Sequence, residues 1–143
     1  MLAHTHSGLR WIALILLVYA VINALSRKGS GEFSKKDKMV NLFAMVTLHV
    51  QLVLGLVLYF TSGKVNFGQG WMKEDLFRFY GMEHLVGMLA AIVLVTIGYS
   101  KAKRSEVAIQ KHKYTLTFYA LGLILILAFI PWPFRTALGG HWF

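Results

Sequence analysis

The run GLRWIALILLVYAVINALS, residues 8–26, carries a single charge, Arg10, and a single amide, Asn23. As a helix rising 1.5 Å per residue it is about 28 Å long, close to the ~30 Å hydrocarbon thickness of a bilayer. Three more stretches, at about 39–60, 77–100 and 114–133, are equally apolar and equally long. Together the four occupy most of the 143 residues and leave three short connections and two brief tails. The expected fold is therefore all-α: an integral membrane four-helix up-down bundle, one domain over residues 1–143, with short connections making successive helices antiparallel neighbours. The opening MLAHTH lacks the basic segment of a secretory signal and no cleavage site follows the first apolar run, so that run is read as a retained helix.

Composition narrows the function classes. Hydrophobic residues make up 57% of the chain and charged ones 15%, against about a quarter charged in soluble domains. Cysteine is absent, which excludes iron–sulfur clusters, cysteine zinc sites and covalent c-type haem. The net charge of +9 is concentrated: Arg27, Lys28, Lys35, Lys36 and Lys38 fall in the first connection, and Lys101, Lys103, Arg104, Lys111 and Lys113 in the third. The positive-inside rule puts these two loops in the cytoplasm and both termini outside. Topology accounts for the basic charge, and no nucleic-acid partner is needed.

Local signals fit this plan. Ser34 and Asp37 have the spacing of a helix-starting cap, and Glu74 and Asp75 suit the positive end of the third helix. Residues 62–76, with Gly63, Gly68, Gly70 and Trp71, read as an irregular outer loop. Pro131 and Pro133 end the fourth helix. Trp11, Trp71, Trp132 and Trp142 fall on one side, as an interfacial aromatic belt does.

The candidate site rests on depth. His49 is ten residues past Met39, roughly 15 Å from the cytoplasmic face, and His84 is seven past Phe77, roughly 10 Å from the outer face. Two imidazoles at similar heights on adjacent antiparallel helices are what a six-coordinate haem b requires. Around His84, Gly81, Gly87, Met88 and Ala91 leave room for a macrocycle, or equally for close helix packing. Leu42, Met45, Val46, Leu52, Val53 and Leu56 form an apolar wall beside His49. The competing reading of each histidine is a hydrogen bond to a neighbouring helix.

Arg10, Arg78 and Arg135 lie at the outer helix ends, where they serve as partners for haem propionates or as interfacial anchors. His6 precedes the first helix and is a further ligand candidate, for a second haem, or a residue of a quinol pocket. His4 and His141 are expected in solvent and His112 in the cytoplasmic charge band. Glu83 is expected to form a structural ion pair with Arg10 or Arg78, with proton transfer to a quinone as the other role. Thr47 and Gln51 flank His49 as potential hydrogen-bond partners, and Asn23, Thr115 and Thr117 are expected to join helices. No nucleophile–base constellation, phosphate loop or deep carboxylate pair is visible.

Four runs, HSGLRW (6–11), LHVQL (48–52), MEH (82–84) and IPWPFR (130–135), together resemble a group of small four-helix bacterial membrane proteins usually labelled cytochrome b. The resemblance covers essentially the whole chain and implies non-covalent haem, electron transfer and a bacterial inner-membrane location. It does not supply the ligands; the His49–His84 pair rests on depth and spacing alone. The leading expectation is a multi-pass b-type cytochrome, an electron carrier rather than a catalyst, whose partner is a quinone or a membrane redox complex. The alternatives are a cofactor-free accessory subunit of a larger membrane complex and a haem-handling protein.

Overall fold

The computed structural model describes residues 1–143 and contains four long helices: α1 (Leu2–Arg27), α2 (Lys35–Thr61), α3 (Asp75–Arg104) and α4 (Ala108–Phe129). Each is long and apolar enough to cross a membrane. They run up and down around a square, α1 beside α2 and α4, and α3 beside α4 and α2; α3 and α4 pack most closely, α2 and α3 least. Both chain termini and the 62–74 loop lie at one end, here the termini end. The two basic connections lie at the other, the basic end. Large apolar side chains such as Ile15, Ile22, Val53, Val86, Val93 and Ile124 are exposed around the perimeter, as lipid-facing residues are.

The helices extend past the apolar stretches that announce them. α1 begins at Leu2 rather than near Gly8, α2 at Lys35 and α3 at Asp75, because helical hydrogen bonding continues through the interface beyond the hydrocarbon. The Ser34–Asp37 cap is reciprocal: Ser34 Oγ accepts from the Asp37 amide while the Asp37 carboxylate accepts from the Ser34 amide. α4 stops at Phe129, earlier than the expected 133. Ile130 precedes Pro131 and adopts an extended ψ of 133°, the conformation that a following proline imposes.

Polar side chains clamp the basic half. Asn23 of α1 donates to the Asp37 carboxylate of α2, which is 1% exposed and also 3.4 Å from Arg27. Asn41 Nδ2 donates to Thr115 Oγ1, and the Tyr119 hydroxyl donates to the Asn41 carbonyl, joining α2 to α4. His112 is not in the charge band where the sequence suggested it. It is buried, donates through Nε2 to the Glu32 carbonyl at 2.9 Å and packs on Phe33, pinning the first connection to α4. In a low-dielectric interior such bonds replace the water that the groups have lost.

Small residues set the close α3–α4 spacing. Gly87 lies against the Phe129 ring, and a Cβ on Gly122 would stand 2.7 Å from Val95 Cγ2 and 3.1 Å from the Ala91 carbonyl. Of the small residues near His84, Gly87 and Ala91 thus serve helix packing. Gly122→Ala is expected to lower stability by about 1–3 kcal/mol through overpacking. Gly8→Ala, with open space at its Cβ position, should leave stability unchanged or raise it; thermal unfolding in detergent compares the two.

Candidate functional site

The termini half of the bundle is hollow. A cavity of about 210 Å³ lies among all four helices, floored by Leu17, Leu48, Ile92 and Ile126, with His6, Arg10, Gln51, Tyr59, Tyr80 and His84 as its main polar groups. An apolar enclosure with a few convergent polar groups has the character of a small-molecule or cofactor site.

His84 is oriented by the end of α4. Helical carbonyls accept from the amide four residues on, and prolines have no amide proton. Pro131 therefore leaves the Leu127 carbonyl without a donor, and Pro133 does the same to Phe129. Side chains fill both vacancies: Trp132 Nε1 donates to Leu127 at 2.9 Å, and His84 Nδ1 to Phe129 at 2.8 Å. Since a carbonyl can only accept, the proton of a neutral His84 sits on Nδ1 and Nε2 carries the lone pair. Nε2 makes no protein hydrogen bond and is not sealed from access, so it opens onto the cavity that the ring lines. A π-helical turn, Phe79–Glu83, immediately precedes His84, a feature frequent at functional sites. Within that turn the Gly81 carbonyl accepts from the Tyr59 hydroxyl at 2.9 Å, which sets the register of α3 against α2.

That register separates His84 from His49. With Gly81 level with Tyr59, His84 stands three residues along α3, level with the α2 turn at Gly55–Leu56. His49 is about two turns deeper. Its Nε2 lies 3.5 Å from Thr96 Oγ1, twelve residues beyond His84 and thus about 18 Å along the α3 axis. Cβ bonds tilt toward each helix's own N-terminus, so on antiparallel α2 and α3 the two rings lean apart. The expected His49–His84 pair is not brought together, and His49 is absent from the cavity wall. Its Nδ1 is bonded to the Met45 carbonyl of its own helix at 2.8 Å.

His6 takes the facing position instead. Because α1 begins at Leu2, His6 lies within the helix rather than before it. Gln51 Nε2 donates to the His6 carbonyl at 3.0 Å, so Gln51 serves His6 and not its near neighbour His49. The His6 ring lies over Gly55, its Cε1 only 3.3 Å from where a Cβ would stand, and it lines the same cavity at the same height as His84. Its Nδ1 is buried without a partner. No three His or acidic side chains converge anywhere, so an occupant of this cavity meets two imidazoles.

The other expected site residues divide. Arg10 and Met88 are in the wall. Arg10 Nη2 donates to the carbonyls of His141 and Trp142 at 3.0 and 2.9 Å, while its Nε is buried and unpartnered. Arg78 is outside the cavity and held by Asp75 at 2.7 Å and Glu83 at 2.8 Å, the ion pair expected for Glu83. Arg135 is also outside and rests 4.9 Å from the centre of the Phe79 ring. Gly81 lies beneath Phe67 and Trp71, not beside the cavity. Thr47 donates to Phe43 within its own helix and does not reach His49.

The C-terminal segment is tied to residues of the cavity wall. Besides Arg10, Lys64 Nζ donates to the Gly139 carbonyl, the Tyr80 hydroxyl to Leu138, and Trp11 Nε1 to Trp142. Lys64 is half-buried there, and burial pushes its ammonium below the ordinary lysine range. Tyr59, Tyr80, Lys64 and the Phe129 carbonyl are site components that hydropathy did not reveal, although the Pro131–Pro133 spacing marks the freed carbonyl. Comparison with family models, curated proteins and solved structures finds no match, so the reading of the site rests on this chain's own residues. Arg10→Gln is expected to loosen the segment: amide exchange over residues 138–143 should accelerate by about tenfold or more, the value of a charge-assisted hydrogen bond, while the Asn41 region is unaffected.

Proposed function

We propose that this protein is a b-type membrane cytochrome that carries single electrons, with the cavity at the termini end as its haem site. His84 first and His6 second are the residues that would hold the haem iron, in place of the His49–His84 pair drawn from sequence depth. The observation that carries this reading is the open Nε2 of His84, whose Nδ1–H is committed to the Phe129 carbonyl. Metal-ligating histidines characteristically have such a second hydrogen bond, which orients the ring and raises its basicity. His6 lacks one, since its Nδ1 is unpartnered, and is the weaker ligand of the two.

A bound haem would supply a one-electron couple tuned by its ligands, burial and local polarity. The chain's own part is to orient the two imidazoles, exclude water with Leu17, Leu48, Ile92 and Ile126, and offer cationic Arg10 toward propionates. In this reading the basic loops face the cytoplasm of a bacterial inner membrane, and the partner is a quinone or a membrane redox complex meeting the opposite side.

Protein purified from cells supplied with haem should show a Soret band, with sharp visible bands on reduction by dithionite. His84→Ala should abolish the low-spin spectrum, His6→Ala should convert it to a five-coordinate high-spin one, and His49→Ala should leave it intact. Colourless wild-type protein would overturn the cytochrome reading in favour of a cofactor-free subunit. Loss of low-spin haem in His49→Ala alone would move the site back to the deeper position.

A further inference from the structure

The basic end has a second cavity, of about 250 Å³, between the ends of α2, α3 and α4. Lys35, Lys38, Lys103 and Lys111 line it, with Tyr99 and Asn41. None of these lysines forms an ion pair; the bridges of the molecule involve only Arg27 and Arg78. Lys111 is held 5.2 Å from the centre of the Phe33 ring. Glu32 and Glu106, the carboxylates at this end without an ion-pair partner, are not in the wall, and Asp37 is engaged by Asn23, Ser34 and Arg27. Four like charges around one hollow repel one another unless an anion occupies it.

Asn41 is a second and independent indication. It is 3% exposed, its Nδ2 is committed to Thr115, and its Oδ1 is buried with no donor. Thr115 Oγ1 already donates to the Lys111 carbonyl, so it can only accept from Asn41 and the amide orientation is determined. The wall thus presents cations for an anion and includes Asn41, whose buried Oδ1 lacks a hydroxyl or amine donor. A phosphate ester with neighbouring hydroxyls satisfies both. The cavity lies where the helix ends meet the membrane surface, the depth of lipid headgroups, and basic pockets between spanning helices are headgroup sites.

We infer that this cavity binds the phosphate of an anionic glycerophospholipid headgroup, with Lys38 and Lys103 on the phosphate and Asn41 taking a hydroxyl proton. This is independent of what the other cavity holds. The test is native mass spectrometry of the full chain in mixed micelles containing phosphatidylglycerol or phosphatidylcholine. One phosphatidylglycerol should be retained per chain in preference to phosphatidylcholine. Lys38→Gln/Lys103→Gln, both exposed positions whose replacement spares the core, should weaken retention by about 25-fold, roughly fivefold per lysine. Lys28→Gln/Lys36→Gln removes the same charge from the same end but outside the wall and should retain the lipid. Equal retention of the two lipids, or equal losses in the two double variants, would overturn the assignment in favour of diffuse surface charge. Displacement by inorganic phosphate at matched ionic strength would overturn the lipid source and assign the cavity to the free anion; resistance to it supports the headgroup.

Discussion

Two carbonyl oxygens at the end of α4 organise the termini half of this bundle. Prolines at positions 131 and 133 remove the amide protons that Leu127 and Phe129 would otherwise accept, and carbonyls in an apolar surround must find other donors. Trp132 and His84 provide them. The second bond reaches from α3 to α4 and holds an imidazole with its lone pair toward open space. A helix terminus thereby becomes the orienting element of the cavity's imidazole, with no acidic residue involved.

The two halves of the molecule handle polarity differently. At the basic end, Asn23, Asp37, Thr115, Tyr119 and His112 are paired with one another or with backbone, and the unpartnered buried atoms are Asn41 Oδ1 and Arg27 Nε. At the termini end the polar groups leave open positions: His84 Nε2, His6 Nδ1, Arg10 Nε and Gln51 Oε1. Unserved polar atoms in an apolar enclosure are costly, and three of the five here, His6 Nδ1, Arg10 Nε and Gln51 Oε1, belong to residues of this one cavity. His49 illustrates the contrast. Its Nδ1 is bonded within its own helix, its Nε2 lies 3.5 Å from Thr96, and it lines neither cavity.

The C-terminal segment completes the hollow half. Arg10, Trp11, Lys64 and Tyr80 come from three different parts of the chain and all donate to its carbonyls. Irregular backbone near a membrane surface needs such partners, so three residues that line the cavity, Arg10, Lys64 and Tyr80, also hold this segment. Any occupant that draws on Arg10 or Tyr80 competes with that segment for them.

Four apolar runs of spanning length, separated by short basic or glycine-rich connections, determined the number of helices, their up-down order and the cap at Ser34, because hydrophobic length and turn chemistry act locally. The Glu83 ion pair and the joining roles of Asn23 and Thr115 were legible for the same reason: a polar group in an apolar span must find a partner nearby. Which histidines meet was not legible. Hydropathy locates the hydrocarbon, not the helix ends, so it placed His6 outside a helix that contains it and measured the depth of His84 from the wrong origin. Only the tertiary structure decided that Gly81 stands level with Tyr59 and that the rings of antiparallel α2 and α3 lean apart, since axial register is set by side-chain bonds between helices rather than by any one helix's sequence.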